Sequence, residues 1–245
     1  MSHPRVIRQR IWESLKAVAR PDTRFHLRFS EFIPDFEGVE EATDRLMQLE
    51  AFRNARLVFV TPDNSMTELR RRLILADRPF VMSTYNMQRG FLYVAPGAVP
   101  KEAAGFAAWL DGMEHFGKPV NLAELTDIGR FDFLVTGASA VTSDGIRFGK
   151  GHTYFDLEWG MFTDLGLVEE TTPVAAIVHD VQVVDEQMSV GDTDIAADFI
   201  ATPTRLARVA RATRRPRGID WGLFTPEEIA ETPPLRELAR MRGIA

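Results

Sequence analysis

The sequence predicts an α/β fold, a three-layer arrangement in which a mostly parallel sheet is flanked by helices. Short apolar runs typical of buried strands alternate with amphipathic segments of helical period. The 245 residues, 45% of them hydrophobic, suffice for one large core. We therefore expect a single domain, 1–245, with 216–245 as a C-terminal extension docked on the body.

The elements are assigned from two patterns. Apolar residues repeated every three or four positions, such as Ile7, Ile11 and Leu15, indicate helices, and uninterrupted apolar runs such as residues 57–60 (LVFV) indicate buried strands. In chain order the predicted elements are helices 4–18 and 38–50, strand 57–60, a helix from the turn at 61–65 to about 76, strands 79–82, 91–94 and 131–136, helix 154–166, and strands 173–178 and 198–202.

Three segments have a weaker pattern. Residues 19–36 look irregular, and residues 96–120 are ambiguous. Prolines at 226, 233 and 234 divide the C-terminal extension into short helical pieces.

Composition excludes several classes of site. The chain has no cysteine, which rules out disulfides, thiolate zinc sites and cysteine nucleophiles, and its five histidines lack the H-x-x-x-H spacing of a metal site. A net charge of −6 makes binding of nucleic acid unlikely. No signal peptide and no long apolar run is present, so we expect a cytoplasmic protein without a membrane partner.

A glycine-rich basic stretch is the strongest candidate for a ligand site. Residues 145–156 read GIRFGKGHTYFD and lie between an apolar run and the helix 154–166, in which Leu157, Met161 and Leu165 form an apolar stripe. Glycines allow backbone N–H groups to approach an anion, and a helix N-terminus attracts phosphate. The alternative is a basic turn without a ligand.

Other candidates each have a structural alternative. Arg5, Arg8 and Arg10 in the first helix, and the arginine run 205–217, are either phosphate contacts or solvated helix faces. His179 and Asp180 form either a catalytic pair or a local hydrogen bond, and Gln182 is either a ligand contact or a residue that closes a strand end. The aromatic residues Tyr85, Phe91 and Trp159 either stack on a ligand or belong to the core. Glu158 is expected to be a solvated helix residue.

Several stretches together resemble the 5-formyltetrahydrofolate cyclo-ligase (5,10-methenyltetrahydrofolate synthetase) family, and most closely its methenyltetrahydrofolate-synthase-domain-like subgroup. The family loop reads roughly G-x-R-[LI]-G-[KR]-G-x-G-Y-x-D, which residues 145–156 match closely. The similarity extends over nearly the whole chain, in the stretches 7–12, 33–38, 137–141, 178–184, 194–205 and 218–221.

The resemblance implies a fold similar to that of sugar-phosphate isomerases and coenzyme A transferases. It implies a cyclo-ligase reaction with ATP and Mg²⁺ as cofactors, in which the formyl oxygen of 5-formyltetrahydrofolate attacks the γ-phosphate and N10 captures the activated carbon. Arg147, Lys150 and Asp156 are then the catalytic residues, with Asp156 also the Mg²⁺ ligand. The implied cofactor-binding residues are Arg5, Arg8, Gly149, Lys150, Gly151 and Tyr154.

Three positions depart from the family pattern. Thr153 replaces the glycine before the loop tyrosine, Asn64 stands where folate-using members carry glutamate, and Thr193 replaces a histidine. The first interpretation is a cyclo-ligase, or a close paralogue that acts on a related formyl substrate. The departures leave two alternatives to it. One is a non-catalytic paralogue that binds folate or nucleotide, and the other is an RNA-associated regulatory protein. The sequence does not indicate an oligomeric state.

Overall fold

A computed structural model describes residues 4–148, 154–186, 191, 193–211 and 214–244. In these ranges the α-helices are α1 Pro4–Leu15, α2 Val39–Gln48, α3 Glu50–Asn54, α4 Thr67–Leu75, α5 Ala104–Ala107, α6 Leu110–Phe116, α7 Leu122–Ile128, α8 Tyr154–Asp164, α9 Pro226–Glu231 and α10 Pro233–Met241. The strands are β1 Ala19–Arg20, β2 Asp35–Phe36, β3 Val58–Val60, β4 Phe80–Ser83, β5 Phe91–Val94, β6 Lys118–Val120, β7 Phe133–Thr136, β8 Ala140–Thr142, β9 Arg147–Phe148, β10 Val174–Ile177, β11 Val183–Val184, β12 Phe199–Ala201 and β13 Leu206–Arg208.

The central sheet has the strand order β13-β12-β10-β7-β3-β4-β5-β6. The five strands from β12 to β4 are parallel, and antiparallel strands extend both edges. Phe59 at the centre pairs with Leu134 on one side and Val81 on the other. The predicted fold class, a mostly parallel sheet flanked by helices, is confirmed.

The central strands are buried on both faces. Val58 and Val60 point into a core that also contains buried residues of α2, α4, α5 and α6, whereas Phe59 points into a second core with residues of α7, α8 and α10. Alternate strand residues face opposite sides of a sheet, so a continuous apolar run is needed here. This double burial explains why the strands were recognisable in the sequence.

The N-terminal segment differs from its prediction in two ways. Helix α1 ends at Leu15 rather than residue 18, because the chain turns there, with the Val18 N–H bonded to the Leu15 carbonyl at 3.0 Å. The segment 19–36 is not wholly irregular, since its two ends pair as the antiparallel strands β1 and β2. Helix α1 packs its apolar face on a third core formed with Phe29 and Phe32.

The ambiguous segment 96–120 contains the short helices α5 and α6 followed by the edge strand β6. The end of the chain is anchored on the body as well. Leu235 and Leu238 of α10 are fully buried, and Glu237 accepts a hydrogen bond from the Leu122 N–H at 3.0 Å. None of the helices in the described ranges is long and apolar enough to cross a lipid bilayer.

The arginine run 205–217 does not form the helix face that its spacing suggested. Residues 206–208 of the run form the edge strand β13, and the described residues 209–211 and 214–217 are not helical. Arg215 is 4% exposed and pairs with Asp198 at 2.6 Å, while its guanidinium also donates to the carbonyls of Thr172 and Ala196 and lies over the Trp159 ring. The run is interrupted by a buried, structural arginine, which the sequence pattern could not distinguish from its neighbours.

Replacing Arg215 with methionine should destabilise the fold by about 3 kcal/mol, because buried carbonyl oxygens and a partly buried carboxylate lose their donor. Arg214→Met is the matched control, since Arg214 is exposed, and it should change stability by less than about 0.5 kcal/mol. Urea denaturation of both variants measures the difference. Equal stabilities would contradict the structural role of Arg215.

Candidate functional site

A cavity lies at the carboxyl ends of the parallel strands β3, β4 and β7. Its empty space, including the part that opens into solvent, is about 800 Å³, and its wall is completed by the first two turns of α8. Ligands of open α/β sheets bind at this edge, because the loops that leave the strands converge there. The position of the cavity therefore marks the candidate site.

An ion pair between Arg147 and Asp156 forms one side of the cavity. Arg147 Nη2 donates to Asp156 Oδ1 at 2.9 Å, and its Nε donates to the Ile195 carbonyl at 2.9 Å. The Ile195 N–H returns a hydrogen bond of 3.0 Å to the same Oδ1. The guanidinium also lies 4.3 Å above the centre of the Phe155 ring. Two of the three predicted catalytic residues are thus brought together in one hydrogen-bonded unit.

Asp156 retains one carboxylate oxygen, Oδ2, outside this ion pair. Burial raises the pKa of Asp156, and the Arg147 guanidinium and the Ile195 N–H counteract part of that rise. Within the described ranges, no three His, Asp or Glu side chains cluster as a complete metal cage would require. Magnesium that enters with a nucleotide needs only one or two carboxylates, because phosphate oxygens and water supply the rest. Asp156 fits that mode of binding.

The loop after β3 is fixed by a carboxylate and a close backbone contact. Asp63 Oδ2 accepts hydrogen bonds from Thr61 Oγ1 at 2.5 Å and from the Gly137 N–H at 3.0 Å. Gly137 follows β7, and a Cβ placed there would lie 2.8 Å from Ser65 Oγ and 2.9 Å from Ile33 Cγ2. The absence of a side chain at Gly137 lets the two strand ends approach each other.

A buried arginine supports this loop from behind. Arg70 of α4 is fully buried, and its guanidinium donates to the carbonyls of Thr61, Asp63 and Ala108 at 2.7 to 3.1 Å. Thr61 and Asp63 lie in the loop after β3 and Ala108 follows α5, so one side chain joins the exit of β3 to the end of the helix α5. Burial lowers the pKa of Arg70 to about 10.

Asn64, the position at which folate-using family members carry glutamate, lines the cavity but is committed to a neighbour. Its Nδ2 donates to Asp22 Oδ2 at 2.7 Å. Asp22 also accepts the backbone N–H groups of Arg24 and Phe25, which fixes the N-terminal segment against the loop. The pair holds the cavity wall together and does not offer a carboxylate to a ligand at position 64.

Glu158 is not the solvated helix residue that its sequence position suggested. It is 1% exposed, lines the cavity, and has no hydrogen-bond partner for Oε2 among the described residues. Burial raises the pKa of Glu158 to about 8. The nearby Ser83 hydroxyl opposes this rise in the pKa of Glu158. However, neither Ser83 Oγ nor Glu158 Oε2 makes a well-formed hydrogen bond to a described residue.

Aromatic side chains line the outer part of the cavity. Tyr85 stacks on Phe25 with 5.8 Å between ring centres, and its hydroxyl donates to the Glu31 carbonyl at 3.0 Å. Arg24 lies over both rings and donates to Asp111 Oδ1 at 3.5 Å. Sequence reasoning did not single out Arg24, and the only signal was its position beside an aromatic residue. Tyr154 lines the cavity as predicted for a pocket residue.

The other predicted site residues are distributed differently. Phe91 and Trp159 are core residues, and neither Arg5 nor Arg8 of α1 lines the cavity. Gly149, Lys150 and Gly151, together with Thr153, lie outside the described residues, so their assigned roles stay predictions.

Polar residues after β10 have local structural partners. His179 Nδ1 accepts the Val181 N–H at 3.1 Å, and Gln182 closes the turn by accepting the His179 N–H at 2.7 Å. Asp180 accepts the Thr202 hydroxyl at 2.6 Å. These bonds match the structural alternative stated for His179 and Gln182.

Gly137→Ala should destabilise the protein by about 1 to 3 kcal/mol, because the new methyl group would meet Ser65 Oγ and Ile33 at less than 3.0 Å. Gly105→Ala is the matched control: a Cβ there meets nothing within 4 Å, and alanine favours the helix α5. Thermal or urea unfolding distinguishes the two. A harmless Gly137→Ala would contradict the tight contact between the strand ends.

Glu158→Gln should remove a pH dependence of stability. The pKa of Glu158 rises from 4.5 to about 8 on folding, so the folded state holds the proton more tightly. The resulting stabilisation is fully present below the unfolded-state pKa and is lost as the pH rises towards the folded-state pKa, by up to about 1.4 kcal/mol per pH unit.

Denaturation of wild type and Glu158→Gln between about pH 5 and about pH 8, without ligand or divalent cation, measures this difference. The exposed Glu227→Gln serves as the control and should follow the wild type. Parallel curves for wild type and Glu158→Gln would show that the buried carboxyl group does not titrate in this range.

Comparison with known proteins identifies the family of the chain. A sequence profile of the 5-formyltetrahydrofolate cyclo-ligase family matches residues 1–203. The methenyltetrahydrofolate synthase domain-containing protein of Mus musculus is 34% identical over 235 residues, covering 95% of this chain and 62% of the relative. Its counterpart from Homo sapiens is 31% identical over 235 residues, with 95% and 60% covered. The chain thus spans about three fifths of the length of these curated relatives.

Among solved structures, the 5,10-methenyltetrahydrofolate synthetase of Aquifex aeolicus superposes with a TM-score of 0.50 over 86% of this chain and 94% of the other, at 15% identity. That likeness concerns the fold. The profile covers more than four fifths of the sequence, and it includes all five parallel strands, from β12 to β4 in the sheet order, and every residue that lines the cavity. The chain belongs to the 5-formyltetrahydrofolate cyclo-ligase family.

Proposed function

We propose that this chain catalyses the ATP-dependent closure of 5-formyltetrahydrofolate to 5,10-methenyltetrahydrofolate, or the same reaction on a related formyl compound. The observation that carries the proposal is the cavity at the strand ends, where the Arg147–Asp156 pair faces a partly aromatic wall in a member of the cyclo-ligase family. A cytoplasmic location agrees with this chemistry and is part of the proposal.

Bound Mg²⁺-ATP supplies the phosphoryl group that turns the formyl oxygen into a leaving group. Catalysis of phosphoryl transfer depends mainly on positioning and charge neutralisation. Arg147 is held in place by bonds from its Nε and Nη2 to the Ile195 carbonyl and Asp156, so the other N–H groups of the guanidinium can meet phosphate oxygens without reorganisation. Asp156 would hold Mg²⁺ through Oδ2.

The remaining roles follow the family pattern. Gly149, Lys150 and Gly151 are proposed to surround the phosphates. Arg8, or alternatively Arg5, would be a further phosphate contact from α1, although neither lines the cavity itself. Tyr154 and Tyr85 offer flat apolar faces on which a planar ring can pack.

A second candidate, a folate- or nucleotide-binding paralogue without turnover, is favoured by one observation. Asn64 replaces the family glutamate and is hydrogen-bonded to Asp22, so the carboxylate at this position is missing from the site. The same observation is compatible with a cyclo-ligase that has a different formyl substrate.

An assay with ATP, Mg²⁺ and 5-formyltetrahydrofolate tests the proposal, with the absorbance of the methenyl product and the release of ADP followed together. Both signals should rise in the wild type. Lys150→Ala and Asp156→Asn should lower the rate about 100-fold or more, because each removes a charge near the transferred phosphoryl group. Lys101→Ala, an exposed lysine that pairs with Asp77, is the control and should leave the rate unchanged.

The outcomes separate the two candidates. Release of ADP without methenyl product would indicate uncoupled hydrolysis of ATP and would point to a different formylated substrate. If the folded protein produced neither signal but bound 5-formyltetrahydrofolate in calorimetry, the cyclo-ligase proposal would be wrong and the binding paralogue would stand.

A further inference from the structure

The inner wall of the cavity contains two buried polar atoms without partners. Glu158 Oε2 and Ser83 Oγ make no hydrogen bond to the described part of the chain, and both residues are 1% exposed. Leaving a buried polar group unsatisfied costs roughly 1 to 3 kcal/mol, and more for a carboxylate. Proteins retain few such groups, and each requires an explanation.

The two residues approach the cavity from different elements. Ser83 is the last residue of β4, and Glu158 lies one helical turn after Tyr154 on the same side of α8. All three line the cavity. The next residue, Trp159, is held in the core and donates to the Pro216 carbonyl at 3.1 Å, so α8 cannot easily rotate to carry Glu158 into solvent.

Neighbouring donors in the cavity are already committed. The Arg147 guanidinium binds Asp156 and the Ile195 carbonyl, and the Asn64 amide binds Asp22. The nearby carboxylate, Asp63, is an acceptor that already holds Thr61 and Gly137. Ser83 lies near Glu158 but forms no well-aligned hydrogen bond with it, so a molecule bound in the cavity can supply a partner to both atoms.

The chemistry of the two groups defines that molecule. A carboxyl oxygen accepts an N–H hydrogen bond whether or not the group carries a proton, and a serine hydroxyl can donate to an adjacent acceptor. Together they complement a donor next to an acceptor. That arrangement is the edge of an aminopyrimidine, in which an exocyclic amino group adjoins a ring nitrogen.

We propose that Glu158 Oε2 and Ser83 Oγ bind the aminopyrimidine edge of a substrate, with the amino N–H donated to Glu158 and the Ser83 hydroxyl donated to the ring nitrogen. The inference rests on the proposed function, since both of its substrates carry this edge: the pteridine of reduced folate and the adenine of ATP. In this arrangement α8 supplies the carboxyl group that position 64 lacks.

Calorimetric binding to the full chain tests the inference. The probes are 5-formyltetrahydrofolate without ATP, ATP without folate, and the analogue of each that lacks the amino group. Glu158→Leu removes both oxygens while keeping the apolar volume, and should weaken binding of the cognate substrate about 10- to 100-fold. Glu158→Gln keeps one acceptor oxygen and should remain within about threefold of the wild type. Ser83→Ala should show a smaller loss for the same substrate.

The analogues identify the source of the edge. Loss of the amino group should weaken wild-type binding about 10-fold or more but leave Glu158→Leu binding unchanged. If 5-formyltetrahydrofolate and its analogue show this pattern, the edge belongs to the pteridine. If ATP and its analogue show it, the edge belongs to adenine. A melting curve checks that Glu158→Leu is folded, and Ser83→Ala provides the same analogue comparison if it is not.

Two results would overturn the inference. If Glu158→Leu binds both substrates as tightly as the wild type and keeps the same dependence on the amino group, the edge is bound elsewhere while the proposed function stands. If the wild type binds neither 5-formyltetrahydrofolate nor ATP, the proposed function fails and the inference fails with it.

Discussion

The buried ion pair between Arg147 and Asp156 is the interaction on which the site depends. It joins β9 to the start of α8, and both partners also bind the backbone of Ile195. A buried pair stabilises only when its remaining hydrogen-bonding capacity is satisfied, because desolvation of the two charges is expensive. The Ile195 carbonyl accepts a hydrogen bond from Arg147, and the Ile195 N–H donates one to Asp156. The strand β9, the start of α8 and the segment around Ile195 are thus held in one geometry.

A second constraint operates behind the strand ends. Arg70 donates to the backbone carbonyls of Thr61, Asp63 and Ala108. Asp63 and Gly137 fix the same region from the front. The loops around the cavity thus take their shape from buried polar contacts, whereas the sheet below them is held by apolar packing.

The difference between apolar packing and buried polar contacts explains which features the sequence predicted. The strands of the parallel sheet are continuous apolar runs such as residues 57–60, which are recognisable without knowledge of their neighbours. Arg147, Asp156 and Tyr154 were found through a family pattern, and the structure places all three at the cavity.

The features that the sequence did not predict have physical causes. Glu158 was misjudged because α8 is buried around most of its circumference, with every residue from Glu158 to Phe162 inaccessible, so no polar stripe separates its buried and exposed sides. Arg24 and Arg215 were missed because the value of a charged side chain depends on partners that are remote in sequence. The short helices α5 and α6 are too brief to show a clear period.

The span of the cavity wall has a consequence for how the protein is made. The wall begins at Arg24 and ends at Glu158, and its ion pair also needs Ile195. The last contact can therefore form only after Ile195 has been synthesised, and domains with such distant contacts fold slowly. Until then the nascent chain exposes the apolar strands of an unfinished sheet.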